Sequence, residues 1–233
     1  MVSVARLRDR KSDFVVHDWI LDSGAFSEIT RYGRYRTPVE EYAEHVRRWA
    51  SCGTLLAAVS QDYMCEPMAL RATGLTVAEH QRLTIERYDT LRQLVPEVYI
   101  MPVLQGQTDD QYRAHLAQYG DRLAEDAWVG VGSVCKRQGT PEGIATLLTA
   151  ILQERPDLRL HGFGVKTTAL AHEQVRQSLA TADSMAWSFA ARREGRSRAA
   201  NDYREAQRFV TKISYILGQD DSNRREHWSA SGN

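Results

Sequence analysis

Three aspartates, Asp22, Asp62 and Asp183, each stand where a short apolar run gives way to glycine, serine or tyrosine. Gathering three carboxylates in one low-dielectric place costs on the order of several kcal/mol unless they are paired or one keeps its proton, so stability alone would not select them. Any one of them could cap a turn through its side-chain oxygen. Three at corresponding positions point to a shared site where charge is used. Gln105, followed by Gly106, adds an amide with one acceptor and two donors, a set that suits the edge of a purine. Gly130, Gly132, Gly162 and Gly164 relieve crowding where strands meet and also let a flat ligand approach the backbone. His161 reads as a packed rim histidine, and Cys52, Cys65 and Cys135 read as small apolar residues.

Something must carry these residues to one place, and the rest of the chain says what. Short β-branched or apolar runs alternate with longer amphipathic stretches, the pattern of repeated βα units around a parallel sheet. Six strands are expected at Trp19–Leu21, Leu55–Ser60, Val98–Val103, Trp128–Gly132, Leu160–Gly164 and Ser184–Trp187, with a weak seventh at Val2–Ala5. Helices are expected to open at Thr37-Pro38, at Thr76 with Glu79 three residues on, at Thr108-Asp109 and at Thr140-Pro141. A last helix covers Asn201 to Leu217, and a polar tail over 218–233 is expected to fray. One α/β domain over 1–217, a (β/α)8-type TIM barrel, accounts for this order. In such a barrel the reacting groups come from the C-terminal strand ends and the loops beyond them, which is where the aspartates fall.

The 233 residues are 42% hydrophobic, enough for one sizeable core. Lys plus Arg and Asp plus Glu number 30 each, so net charge gives no sign of a polyanionic partner. Distribution does. Arg31, Arg34 and Arg36 follow the Asp22 run, Lys136 and Arg137 follow Gly132, Lys166 follows Gly164, and Arg192, Arg193, Arg196 and Arg198 follow Asp183. Guanidinium groups among tyrosines at the aspartate-bearing mouth suit phosphates and bases. Three scattered cysteines fit neither a disulfide framework nor a zinc knuckle, no signal-like or membrane-length apolar stretch occurs, and a cytoplasmic setting is expected.

Taken in order, these motifs resemble the guanine transglycosylase superfamily, which includes tRNA-guanine transglycosylase, and more closely its DNA-acting branch, the DpdA deazapurine DNA-modification family. Asp22-Ser23-Gly24-Ala25-Phe26 is similar to the superfamily's Asp-Ser-Gly-Gly-Phe, and Leu104-Gln105-Gly106 to its Val-Gln-Gly. Gly162-Phe163-Gly164-Val165 resembles Met-Gly-Val-Gly, and Ala182-Asp183-Ser184-Met185 falls where Phe-Asp-Cys-Val carries the nucleophile. The resemblance implies that Asp183 is the covalent nucleophile with Asp22 beside it. It implies further that Asp62, Gln105, Gly132, Ser133, Ser23 and Phe26 form the base pocket. The implied activity is that of a pentosyltransferase: guanine in DNA is exchanged for a 7-deazaguanine such as 7-cyano-7-deazaguanine, without a cofactor. A carboxylate nucleophile suits an oxocarbenium-like transition state, as in retaining glycosidases.

Two departures accompany the resemblance. Residues 192–217 contain neither cysteine nor histidine, so the zinc site of the tRNA enzymes is not expected. Only 21 residues precede Asp22, where the superfamily barrel has two strands, so the first strand is expected to be missing and the open edge to need a second copy or partner. Three other readings remain at this stage: tRNA modification, a catalytically silent nucleic-acid-binding barrel, and a phosphate-sugar barrel enzyme using 162–166 as a cradle.

Overall fold

The computed structural model describes residues 1–133, 140–188 and 202–229, with side chains of the last helix described as far as Gly218. Among them, eight short strands all pair in parallel: β1 (Val2–Ser3), β2 (Asp18–Asp22), β3 (Thr54–Val59), β4 (Ile100–Met101), β5 (Val103–Leu104), β6 (Trp128–Val131), β7 (Arg159–Gly162) and β8 (Thr181–Ala182). They form two sheets in strictly sequential order, β1-β2-β3-β4 and β5-β6-β7-β8. Only Pro102 separates β4 from β5. Proline has no N–H to donate to a ladder, but its carbonyl still accepts from Gly130 at 2.8 Å, so the segment 100–104 bridges the two sheets.

Helices fill the connections: α1 (Ala25–Tyr32), α2 (Val39–Ala50), α3 (Pro67–Thr73), α4 (Val77–Leu94), α5 (Asp109–Tyr119), α6 (Pro141–Glu154), α7 (Thr167–Leu170), α8 (Glu173–Ser178) and α9 (Tyr203–Ser229). Thr76 caps α4 in a reciprocal capping box with Glu79, while Thr108 and Thr140 each accept from the backbone N–H three residues on. Pro38 is the cap of α2 and not its first turn, so that helix begins one residue later than its sequence suggests. The last helix continues beyond Gly218 to Ser229, because one glycine costs about 1 kcal/mol and the polar residues after it tolerate helix.

The expected strand at Ser184–Trp187 is a correction. The strand is Thr181–Ala182, and Ala186–Ser188 are helical. Ser184 Oγ accepts from the N–H of Ala186 at 3.3 Å, and this local hydroxyl bond turns the chain where the Met-Ala-Trp run reads as extended.

The middle strands, from the second half of β3 to β7, are largely buried on both faces, which explains why they read as apolar runs without alternation. Trp19, Leu21, Ala58, Ile100, Leu104, Val129, Val131 and Leu160 share a core with Tyr42 and Trp49 of α2, Leu91 of α4, Tyr112 of α5 and Leu147 and Ile151 of α6. On the opposite face, Ala57, Val59, Met101 and Val103 pack with Ile20, Trp128 and Phe163. One strand, β1, precedes the strand that carries Asp22. Among the described residues no helix is long and apolar enough to cross a membrane.

Candidate active site

Side chains alternate along a strand with period two, so each inner-face residue near the C-terminal end has a partner one step deeper. Ile20 lies below Asp22, Val103 below Gln105, Gly130 below Gly132, His161 below Phe163 and Thr181 below Asp183. Asp22 and Asp183 lie near enough at these strand ends to influence one another, and Gln105 reaches Asp62, which in turn feels Asp22. Asp62 joins from the loop after β3. That loop is pinned: Tyr35 Oη donates to the Asp62 carbonyl at 2.9 Å, the N–H of Tyr63 donates to Thr84 Oγ1 at 2.9 Å, and His80 Nδ1 lies 2.7 Å from the Met64 carbonyl.

Gln105 Nε2 donates to Asp62 Oδ2 at 2.6 Å, both residues being buried. The amide orientation follows from its other end, where Oε1 accepts from Ser133 Oγ at 3.0 Å and from the Cys65 N–H at 3.4 Å. Burial pushes the Asp62 carboxyl up to about 7; the Gln105 bond works against the rise, and the Asp22 charge adds to it. Gly132 serves this pair by what it lacks. A Cβ there would fall 2.1 Å from Gln105 Nε2. Its own N–H donates to the Leu104 carbonyl at 2.9 Å, and its carbonyl accepts from Tyr112 Oη at 2.6 Å. Ser133, with φ of 62°, occupies the left-handed region that few non-glycine residues adopt, a local strain held by its bond to Gln105.

Two further residues hold Gln105 and a third, Arg87, holds the neighbouring Gln61, and the sequence reading did not single them out. Its N–H donates to His115 Nδ1 at 2.9 Å, and its carbonyl accepts from Gln81 Nε2 at 2.7 Å. Burial drives the His115 pKa down to about 4, so the imidazole is a neutral acceptor at Nδ1. Arg87 stacks over Tyr35, 4.7 Å from its centroid, and donates to Gln61 Oε1 at 2.5 Å. One signal for them exists: His115 sits between Tyr112 and Leu116 on the apolar stripe of α5, where a polar residue needs a buried partner.

Asp22 accepts from the Ser3 hydroxyl and the Gly24 N–H, yet burial raises its pKa, and the Asp183 charge raises it further. Asp183 is partly open to solvent. Its Oδ1 accepts from the Gly164 N–H at 2.9 Å and lies 3.5 Å from His161 Nε2, while its backbone is held by Gly162 and Val165. Asp22 therefore feels Asp183, and Asp62 feels Asp22. Two carboxyls whose pKa values burial raises, with a third carboxyl close by, mark a candidate site.

Ser23 is buried beside Asp22, whereas Phe26 is half exposed on the first turn of α1. Arg31, Arg34, Arg36 and Lys166 are exposed, and Arg31 and Arg36 both lie over the Tyr32 ring, at 5.3 and 3.6 Å from its centroid. Lys136, Arg137, Arg192, Arg193, Arg196 and Arg198 lie outside the described residues. Among the described residues no group of three or more His, Cys, Asp or Glu could hold a metal ion.

The family model of DpdA, deoxypurine in DNA protein A, matches residues 1–206. The chain belongs to the DpdA family. DpdA membership links it to deazapurine modification of DNA, and the matched span includes Asp22, Asp62, Gln105 and Asp183 together with all eight strands. No curated protein matches the chain.

Proposed function

We propose that this chain is a pentosyltransferase that exchanges a guanine in DNA for a 7-deazaguanine base such as 7-cyano-7-deazaguanine, through an ester to Asp183. The observation that supports the reading is the closeness of Asp183 to Asp22, whose pKa is raised by burial and further by the Asp183 charge. Oδ1 of Asp183 is engaged by Gly164, and among the described residues Oδ2 makes no hydrogen bond. In the first half-reaction Oδ2 bonds to the anomeric carbon, the glycosidic bond to guanine breaks, and its electron pair leaves with the base. Asp22 gives that base a proton. In the second half, Asp22 takes a proton from the incoming base, whose nitrogen displaces Asp183 and regenerates the carboxylate. Asp62, Gln105 and Ser133 read the base edges, beside Gly132, Ser23 and Phe26. The target nucleotide leaves its stack to reach them. No nucleotide cofactor is required.

With 100–104 taken as one strand position, seven parallel strands in sequential order fit a (β/α)8-type barrel that lacks its first strand. The exposed arginines of α1 and the loop after it, with Lys166, form the start of a cationic collar that holds the DNA backbone.

Incubation with radiolabelled guanine and either DNA or tRNA tests the reading. Label is expected in DNA, and Asp183→Asn is expected to reduce its incorporation by at least about 1,000-fold. Incorporation into tRNA alone would replace DNA with RNA as the polymer; full activity of the Asn variant would remove the covalent mechanism.

A further inference from the structure

His161 is 1% exposed and lies one layer beneath the mouth, opposite Thr181 in the β7–β8 register. Its Nδ1 is 2.8 Å from Thr181 Oγ1, which also accepts from Trp128 Nε1 at 2.8 Å. Indole N–H can only donate, so the threonine hydroxyl satisfies everything by passing its own proton toward His161 Nδ1. That leaves the imidazole proton on Nε2. Nε2 is a buried atom with no hydrogen-bond partner in the resting geometry, and it points at Asp183 Oδ1 from 3.5 Å. Phe163 and Trp128 stand edge-on to the ring, 4.7 and 6.0 Å away between centroids, and fix its plane.

We propose that His161 is a positioning residue which, as an Nε2–H donor to Asp183 Oδ1, promotes release of Asp183 from the covalent intermediate. The proposal rests on the transglycosylase reading above and assigns a part of it to a residue outside the aspartates. When the ester forms, the carboxylate loses its charge; when the incoming base displaces it, the C1′–Oδ2 bond breaks and the electron pair returns to the carboxylate. A donor at Oδ1 helps only where charge reappears. Gly164 N–H already supplies one such donor. The 3.5 Å contact closes once DNA is bound. Guanine displacing Asp183 is the reverse of guanine departing, so a donor that holds the free carboxylate as firmly as the partly charged one of the shared transition state speeds resolution and leaves attack unchanged.

The two half-reactions can be timed separately. Adduct formation is followed as a protein–DNA complex on denaturing gels without added base, and its resolution by adding guanine. His161→Asn keeps an atom near the Nδ1 position but has none at Nε2, whereas His161→Gln places an amide nitrogen close to Nε2. The Asn variant is expected to form adduct at nearly the wild-type rate but to resolve it about 10- to 100-fold more slowly, so adduct accumulates; the Gln variant is expected to recover much of the loss. Equal slowing of both halves, or no slowing of either, overturns the role of His161 and leaves the exchange reading intact. A wild-type chain that forms no adduct overturns the exchange reading and the role together. Should both variants fold poorly, 15N NMR of the wild-type imidazole decides: an Nε2–H tautomer supports the proposal, and an Nδ1–H tautomer overturns it.

Discussion

Asp62 joins two demands, since the burial that its proposed base-reading role calls for also makes its charge expensive. The carboxyl ionises near 3.8 in an unfolded chain and about 7 in the fold. Between those values the folded state binds a proton that the unfolded state has released, so stability falls as pH rises through the window and the full cost is present above about 7. Asp62→Asn carries no such proton and keeps an oxygen to accept from Gln105 Nε2. Thermal melts are expected to show the variant more stable than wild type at pH 8, by on the order of 2 kcal/mol, with the gain vanishing at pH 4. An equal gain at both pH values would show that Asp62 is not held protonated. Base exchange is expected to fall in the same variant, because an amide cannot supply the second acceptor of a carboxylate.

At the scale of the elements, β6 shows what a short strand must omit. Phe163 lies where a Cβ on Gly130 would be, 2.3 Å from its ring edge, and Gln105 lies where a Cβ on Gly132 would be. Gly132→Ala drives Gln105 from Asp62 and Ser133 together. The expected result is a loss of about 1–3 kcal/mol in melts and a rise of at least about tenfold in KM for the incoming base. A wild-type KM would show that Gln105 does not bind the base. Much of this element scale was legible beforehand: the strands at 19–21, 55–60 and 128–132 and the Thr76–Glu79 capping box all follow from local chemistry. The strand before Asp183 was not, because two residues are too few to show a period while Met185-Ala186-Trp187 mimic one. The partners of His115, Gln81 and His161 were illegible for a different reason. Each of these residues acts through a partner that local pattern does not reveal: the sheet register brings Thr181 beside His161, and the packing of α5 brings His115 beside Gln105.

The whole molecule is neutral, with 30 basic and 30 acidic residues, so any hold on DNA must come from uneven placement. Glu40 and Glu41 stand in the first turn of α2, on the helix layer, while Arg31, Arg34 and Arg36 emerge from α1 and the loop after it, directly downstream of Asp22. Arg31 and Arg36 clamp Tyr32, giving a rigid, flat cationic ledge that can stack on a displaced base or face a phosphate. Glu28 steadies this ledge from beneath: it is buried, accepts from the Arg36 N–H at 2.8 Å and pairs with Arg8. Replacing Arg31, Arg34 and Arg36 by glutamine leaves that backbone bond in place and removes only the three charges. Each phosphate contact releases close to one counterion, so the slope of log affinity against log salt is expected to fall by up to about 3, and affinity at 0.1 M salt by at least about tenfold. At saturating DNA the rate of label exchange is expected to stay near wild type, since the ledge holds the polymer and not the reacting sugar. A salt slope equal to wild type would move the DNA path off this face of the protein.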